Sequence, residues 1–289
     1  MDLQNLRSKL FERKLGVMEY FEVGFSTFKV LLKENKFLMF FSFLITFFYL
    51  ALITVVQILK ISLEIIGLNV DLLVGLAVMG ILSLVVNVIS MFFKGYFFRK
   101  VAFKLEDNKS DLKLSELFIK VVILLGIYLV LGILAFFADD VLLGVFNFLI
   151  IVVTIWALLY IEGYYIRSFG LKKSLEYSLE LSKGNRFRVI VPIIFATMIT
   201  VLEIILFMFI LKDEPEMMSF LSIFIFLVFL FTVTIIMMYI EILNIVIFLN
   251  VENDYLKNEG RNSEFNLRNN QEITEISNDN FEKKEDRLE

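Results

Sequence analysis

The chain has 289 residues, of which 58% are hydrophobic and 15% aromatic, with 33 Phe and a mean hydropathy of +0.79. A soluble domain is about 45–50% apolar and about 25% charged, so this composition excludes an ordinary soluble protein. The sequence contains no cysteine and no histidine, which excludes disulfides, thiolate metal sites, imidazole ligation and His-based acid/base catalysis.

Residues 1–36 form a charged N-terminal segment without a continuous apolar core, so no cleavable signal peptide is expected. Within it Val17, Met18, Phe21, Phe25, Phe28 and Leu32 recur at helical spacing, with Glu19, Glu22, Lys29 and Lys33 on the other side. That pattern predicts an amphipathic helix at a membrane interface. Residues 37–250 then carry six apolar stretches long enough to cross a bilayer core as helix, which takes about 20 residues. They run 37–59, 72–93, 118–137, 141–161, 188–211 and 218–240. Strands would leave backbone groups unpaired in lipid, and the alternation of a barrel strand is absent. The expected fold is therefore an all-α integral membrane protein with six transmembrane helices.

Between the second and third stretches, Asp107–Asp111 reads as a turn, with Ser110 or Asp111 capping the next helix. Leu171, Leu175 and Leu179 predict a second amphipathic helix. Beside them Ser174, Ser178 and Ser182, four apart, would let another helix approach closely. The last apolar run continues past Glu241 to Asn250, too long for the bilayer core, and is expected to project with Asn244–Leu249 against other helices. The tail 251–289 has 11 acids, six bases and eight Asn. It reads as a disordered acidic segment that would bind neither nucleic acid nor anionic lipid.

Charge sets the orientation. Of the 28 Lys and Arg, 26 fall in residues 1–36, 94–120, 162–188 and 251–289, and only Lys60 and Lys212 fall on the other side. By the positive-inside rule both termini are cytoplasmic. The external loops are short and acidic, with Glu64, Asp71, Asp139, Asp140, Asp213, Glu214 and Glu216. They read as soluble connections that avoid cations, rather than as a divalent-cation site, since no calcium-loop spacing occurs. No cofactor or metal is expected.

Two junctions repeat. Leu31-Leu-Lys-Glu-Asn-Lys-Phe37 and Leu181-Ser-Lys-Gly-Asn-Arg-Phe187 share Leu-x-Lys-x-Asn-(Lys/Arg)-Phe, 150 residues apart. Each must end an interfacial helix and turn the chain into the membrane. Gly184 can take the left-handed conformation that closes a helix. Asn35 and Asn185 can cap the next helix, and Lys36 and Arg186 can snorkel to headgroups. Three units of amphipathic helix plus membrane hairpin, starting near residues 17, 111 and 170, would account for the layout.

The stretch Ser174-Leu-Glu-Tyr-Ser-Leu-Glu-Leu-Ser-Lys-Gly-Asn-Arg-Phe-Arg188 resembles a motif of bacterial six-span membrane proteins. These are related to the membrane domain that precedes some glycerophosphodiester phosphodiesterases. The resemblance implies that Ser178, Lys183, Gly184 and Asn185 are motif positions, and that the chain lies in the bacterial inner membrane. Ser174 stands where Ala is usual, and Phe187 where Trp is commoner. No phosphodiesterase domain follows, so that activity is not implied.

Several polar residues fall within the expected spans. Glu203, Asn87, Asn147 and Asn244, with Ser90, Thr197 and Thr200, could line a path for transport. The competing reading is that they make interhelical hydrogen bonds. Glu162 and Glu241 are expected to pair with Lys94 or Arg167, and Tyr160, Tyr164 and Tyr165 to join Trp156 in an aromatic belt. Pro192 is expected to kink the fifth span. The function expected is non-enzymatic: organising phospholipid headgroups or a membrane-protein partner at the cytoplasmic leaflet. A small transporter or channel using Glu203 and the Asn residues is the alternative.

Overall fold

The computed structural model describes the backbone of residues 2–66, 70–108, 113–136, 145, 159–211 and 220–285. Within it, side chains 53, 56–83, 131–136, 196–197, 200, 203–204, 206–223 and 259–285 are not described. The chain is all-helical there, with nine helices: α1 Leu3–Glu12, α2 Val17–Glu34, α3 Lys36–Ile66, α4 Val70–Glu106, α5 Leu114–Phe136, α6 Tyr160–Ile166, α7 Leu171–Ser182, α8 Arg186–Leu211 and α9 Phe220–Glu285.

Local chemistry sets most of the described boundaries. Asp2 caps α1 by accepting from the Asn5 amide at 3.0 Å. The Glu19 carboxylate reaches back to the Gly16 amide at 2.8 Å, which fixes the start of α2. Acid in a first turn also complements the positive end of the helix dipole. Asn35 then breaks the chain, its amide closing onto the Leu31 carbonyl at 2.8 Å, and α2 and α3 meet at 109°. At the end of α4, Asp107 takes a positive φ of 58° and the Asn108 amide bonds the Phe103 carbonyl at 2.9 Å. The expected turn therefore begins there; Ser110 and Asp111 lie outside the described residues.

Helices occupy five of the six expected spans: α3, α4, α5, α8 and α9. The fourth, 141–161, lies almost wholly outside the described residues, as do Trp156, Asn147 and the acidic loop at 138–140. Among the described residues, one helical stretch, Phe224–Asn258, is by length and composition able to cross a membrane. The expected loop 60–71 is mostly helix, because α3 runs to Ile66 and α4 begins at Val70.

Two helices far outlast their apolar stretches. α4 has 37 residues, about 55 Å of helix, and continues well past Phe93. There it buries Phe97, Phe98, Val101, Ala102 and Leu105. α9 passes Glu241 and buries Ile242, Leu243 and the whole run Ile245–Glu252. The expected boundary at Val251 thus falls inside a packed helix rather than at the start of a disordered tail. Its cause is apolar: Val251 is fully buried in the hydrophobic core.

These extensions build the core. Leu6, Leu10, Tyr20, Val23 and Leu31 from α1 and α2 close over them, with Leu117, Tyr164, Leu181 and Val189. The well-packed centre therefore lies at the end of the bundle that carries the charged segments. Along α5 and α8 the opposite holds. Phe118, Ile119, Val122, Ile123, Ile194, Phe195, Met198 and Leu202 are all exposed.

Two interfacial expectations change. α2 turns Tyr20, Val23, Gly24, Thr27, Val30 and Leu31 into the protein, packing on α9 and α8. Phe21 meets Phe195 at 5.2 Å, and Phe28 meets Tyr239 at 6.4 Å. Only Met18, Phe25 and Leu32, seven residues apart, form an outward apolar line. The aromatic belt is not formed by Tyr164 and Tyr165, which are buried inside the molecule. The Tyr164 hydroxyl donates to the Lys120 carbonyl at 3.1 Å, and the Tyr165 ring meets Phe98 at 6.2 Å.

Gly95 makes this tyrosine packing possible. A Cβ at that position would stand 2.5 Å from the Tyr165 ring and 2.6 Å from Leu117 Cδ1. Gly95→Ala is expected to destabilise the detergent-solubilised protein by about 1–3 kcal/mol, as overpacking does. The check is the thermal midpoint against that of Gly126→Ala, whose Cβ meets nothing within 4 Å.

Candidate functional site

The densest polar cluster joins four helices around Asn250. Its side-chain oxygen accepts from the Leu15 amide at 3.2 Å, the Tyr20 hydroxyl at 2.8 Å and Arg188 Nη2 at 2.8 Å. Its side-chain nitrogen donates to the carbonyls of Leu10 (2.7 Å) and Arg13 (2.9 Å). Arg188 extends the network to Asn185 Oδ1 at 2.6 Å and Asp254 at 3.2 Å, and Lys14 reaches the same carboxylate at 2.9 Å. Burial raises the Tyr20 hydroxyl to about 12, so it remains a neutral donor.

A second cluster centres on Arg167. Its Nε donates to Glu252 Oε1 at 2.9 Å and its Nη1 to Glu106 Oε2 at 3.1 Å. The Tyr177 hydroxyl adds a bond to Glu252 at 2.7 Å. The expected pairing of Arg167 with Glu162 or Glu241 does not occur. Arg167 leaves α6 toward the charged end, where α4 and α9 bring Glu106 and Glu252.

Lys94 does meet Glu241, at 3.3 Å. Burial works against its charge, but Glu241 and Glu162 more than offset that, and the ammonium is held above its usual range. Glu162 is buried, and its Oε2 has no hydrogen-bond partner. Burial pushes its carboxyl up to about 7, against the opposing pull of Lys94.

The motif positions prove to be the parts of one corner. Ser178 is buried, and its hydroxyl accepts the Leu159 amide at 3.2 Å, tying α7 to the start of α6. Ser174 and Ser182 are buried on the same face, so the small residues do permit close approach. Lys183 is exposed, its amide closing onto Glu180 at 3.1 Å. Gly184 takes φ +77°, as its place between two helices demands. Asn185 is buried and differs from expectation. Its amide nitrogen bonds back to the Leu181 carbonyl at 3.3 Å and its oxygen accepts from Arg188. Asn35 likewise does not cap α3; in the amide orientation that satisfies both atoms, its oxygen accepts from Lys104 at 3.1 Å.

The two repeated junctions are alike in exposure. Leu31 and Leu181 are buried, Phe37 (77%) and Phe187 (84%) stand outward, and Met39 and Val189 are buried again. Both preceding helices also start from an extended glycine, Gly16 and Gly170.

The suggested polar path is not assembled among the described side chains. Asn87 lines a cavity of 370 Å³ with Tyr49, Met91, Leu125 and Tyr128. Asn244 is not part of that lining, and its Oδ1 is buried without a partner. Glu203 lies on α8, but its side chain is outside the described set, as are Thr197 and Thr200.

Sequence reasoning missed Asn250, Arg188, Tyr20 and Asp254 as a group. Each is an ordinary interfacial polar residue in the sequence, and only the return of α1 onto α9 joins them. Compared with known proteins, the chain matches no family model, no curated sequence and no solved structure.

Removing the Arg188 guanidinium takes its charge-assisted hydrogen bonds from Asn250, Tyr20 and Asp254, which costs about 1.5–3 kcal/mol. Arg188→Gln should lower the unfolding midpoint accordingly, and Lys183→Gln, at an exposed position of the same corner, should not. Glu162 predicts a pH effect. Its carboxyl binds a proton more tightly folded than unfolded, so its contribution is present at low pH and is lost as pH rises through about 7. Wild-type thermal stability should fall between about pH 5 and about pH 8, and Glu162→Gln should remove that part of the slope.

Proposed function

We propose that the chain is a non-enzymatic integral membrane protein that crosses the bilayer six times with both termini in the cytoplasm. Its cytoplasmic helical layer would organise anionic phospholipid headgroups or a membrane-protein partner. The observation that carries the reading is the contrast between the two ends. Soluble monomers rarely expose large contiguous apolar surface. Here α5 and α8 expose rows of Phe, Ile, Val and Leu, while 26 of 28 basic residues fall in the segments expected on one side.

The layer at the charged end supports the organising role. α1, α2, α6 and α7 pack around the extensions of α4 and α9. Outward from that layer stand Met18, Phe25, Leu32, Phe37 and Phe187. Apolar side chains beside lysines at the edge of a bilayer bury themselves at headgroup depth. The bacterial six-span proteins that the 174–188 motif resembles would be its relatives on this reading.

The absence of cysteine makes a topology test direct. Single cysteines at Asp139 and at Lys172 should differ in reaction with an impermeant maleimide on intact cells. Asp139→Cys should label from outside, and Lys172→Cys only after lysis. Labelling of Lys172→Cys on intact cells would overturn the topology.

A further inference from the structure

The crook between α2 and α3 carries charge that the protein itself does not neutralise. Along α4, three cations are paired: Lys94 with Glu241 at 3.3 Å, Arg99 with Glu116 at 2.5 Å and Lys104 with Glu34 at 2.8 Å. Lys100, exposed on the same helix, has no carboxylate partner among the described residues; neither has Lys36, the first residue of α3. Both line one cavity of 530 Å³. Its other walls are Glu34, Asn35, Phe37, Leu38, Phe41, Phe93 and Tyr96. Glu34 is already engaged by Lys104, so the free charge of the cavity is positive.

The lining is divided by chemistry. Two ammonium groups, a carboxylate and a side-chain amide share it with three phenylalanines, a leucine and Tyr96. Phe37 and Phe41 are exposed, which is unfavourable unless something apolar covers them. On the other side of α3 a second cavity, of 450 Å³, is again lined by Lys36, here with Phe28, Leu32, Met39, Phe40 and Phe43. Lys36 thus stands between two apolar grooves.

We infer that this crook is a binding site for one anionic phospholipid of the cytoplasmic leaflet, its phosphate held between Lys36 and Lys100 and its acyl chains lying along Phe37, Phe41 and Phe93. The inference rests on the six-span reading, which puts the crook at headgroup depth, and narrows it to a ligand class and a place. The occupant is a lipid rather than a soluble phosphate because Phe37, Leu38, Phe41 and Phe93 share the wall with the lysines. A zwitterionic lipid would bring its own cation to two lysines. An anionic headgroup is neutralised by them, at a level where each basic residue near a charged leaflet adds measurably to binding.

The test uses the full chain in nonionic detergent, titrated with dioleoylphosphatidylglycerol or dioleoylphosphatidylcholine and read by native mass spectrometry. One phosphatidylglycerol should be retained in preference to phosphatidylcholine. Lys36→Gln/Lys100→Gln should weaken it about tenfold or more, and Lys36→Arg/Lys100→Arg should restore it. Lys172→Gln/Lys173→Gln, an equal loss of charge on α7, should leave it unchanged. Helical content and lipid-free melting of the Gln pair should match wild type. Equal retention by the Gln pair, equal loss in the α7 control, or displacement of the lipid by inorganic phosphate would each overturn the site. Alkaline extraction separates this from the reading beneath it. A chain that stays in the membrane while the Gln pair binds normally loses only the site, and a chain released into solution loses the membrane assignment.

Discussion

The packed end of the molecule depends on how α9 meets water. A helix that has carried apolar residues for some 30 positions reaches Asn250 with its last apolar face still to bury. Asn250 solves two problems at once. Its amide satisfies the backbone where α1 ends, through Leu10 and Arg13, and its oxygen collects Leu15, Tyr20 and Arg188. A buried amide is tolerated only when its donors and acceptors are used, and here both nitrogen and oxygen are. The N-terminal segment is thereby folded back onto the last helix, more than 200 residues away in sequence.

The other polar contacts of that end follow from the same geometry. Once α1 and α2 lie on α9, Arg188 at the start of α8 must face them, and its charge is met by Asp254 and Asn185. Arg167 must face Glu106 and Glu252, because α4 and α9 are the two helices that extend far enough. The Ser174–Ser178–Ser182 face lets α7 close the layer without bulk. Among the described residues, the groups left unsatisfied include Lys36 and Lys100 at the outer corner, the buried Glu162 and Asn244 oxygens, and a surface of phenylalanine and isoleucine. On the membrane reading the bilayer supplies partners for the first and the last. Burial shifts Glu162 toward its protonated form.

The 109° crook at Asn35 and the turn at Gly184 give these corners a shared logic. Each places a buried leucine, an asparagine and an outward phenylalanine in the same order. Gly184 needs a positive φ, whereas Asn35 turns without one, so the two junctions reach a similar exposure pattern by different backbone routes.

The helices α2 and α7, the apolar runs of α3, α4, α5, α8 and α9, the left-handed turn at Gly184 and the buried serine face of α7 were legible in the sequence, because each depends on residues within one or two turns of one another; α1 was not. Apolar period, a glycine between two polar stretches and serines four apart act locally. The tyrosines of α6, the inward face of α2, the partners of Asn35 and Asn185 and the packed start of the tail were not legible. Those were decided by where α4 and α9 continue beyond their apolar stretches and by which helices fold back upon them. A residue's burial there is a property of contacts between distant segments, and no local pattern in the chain encodes it.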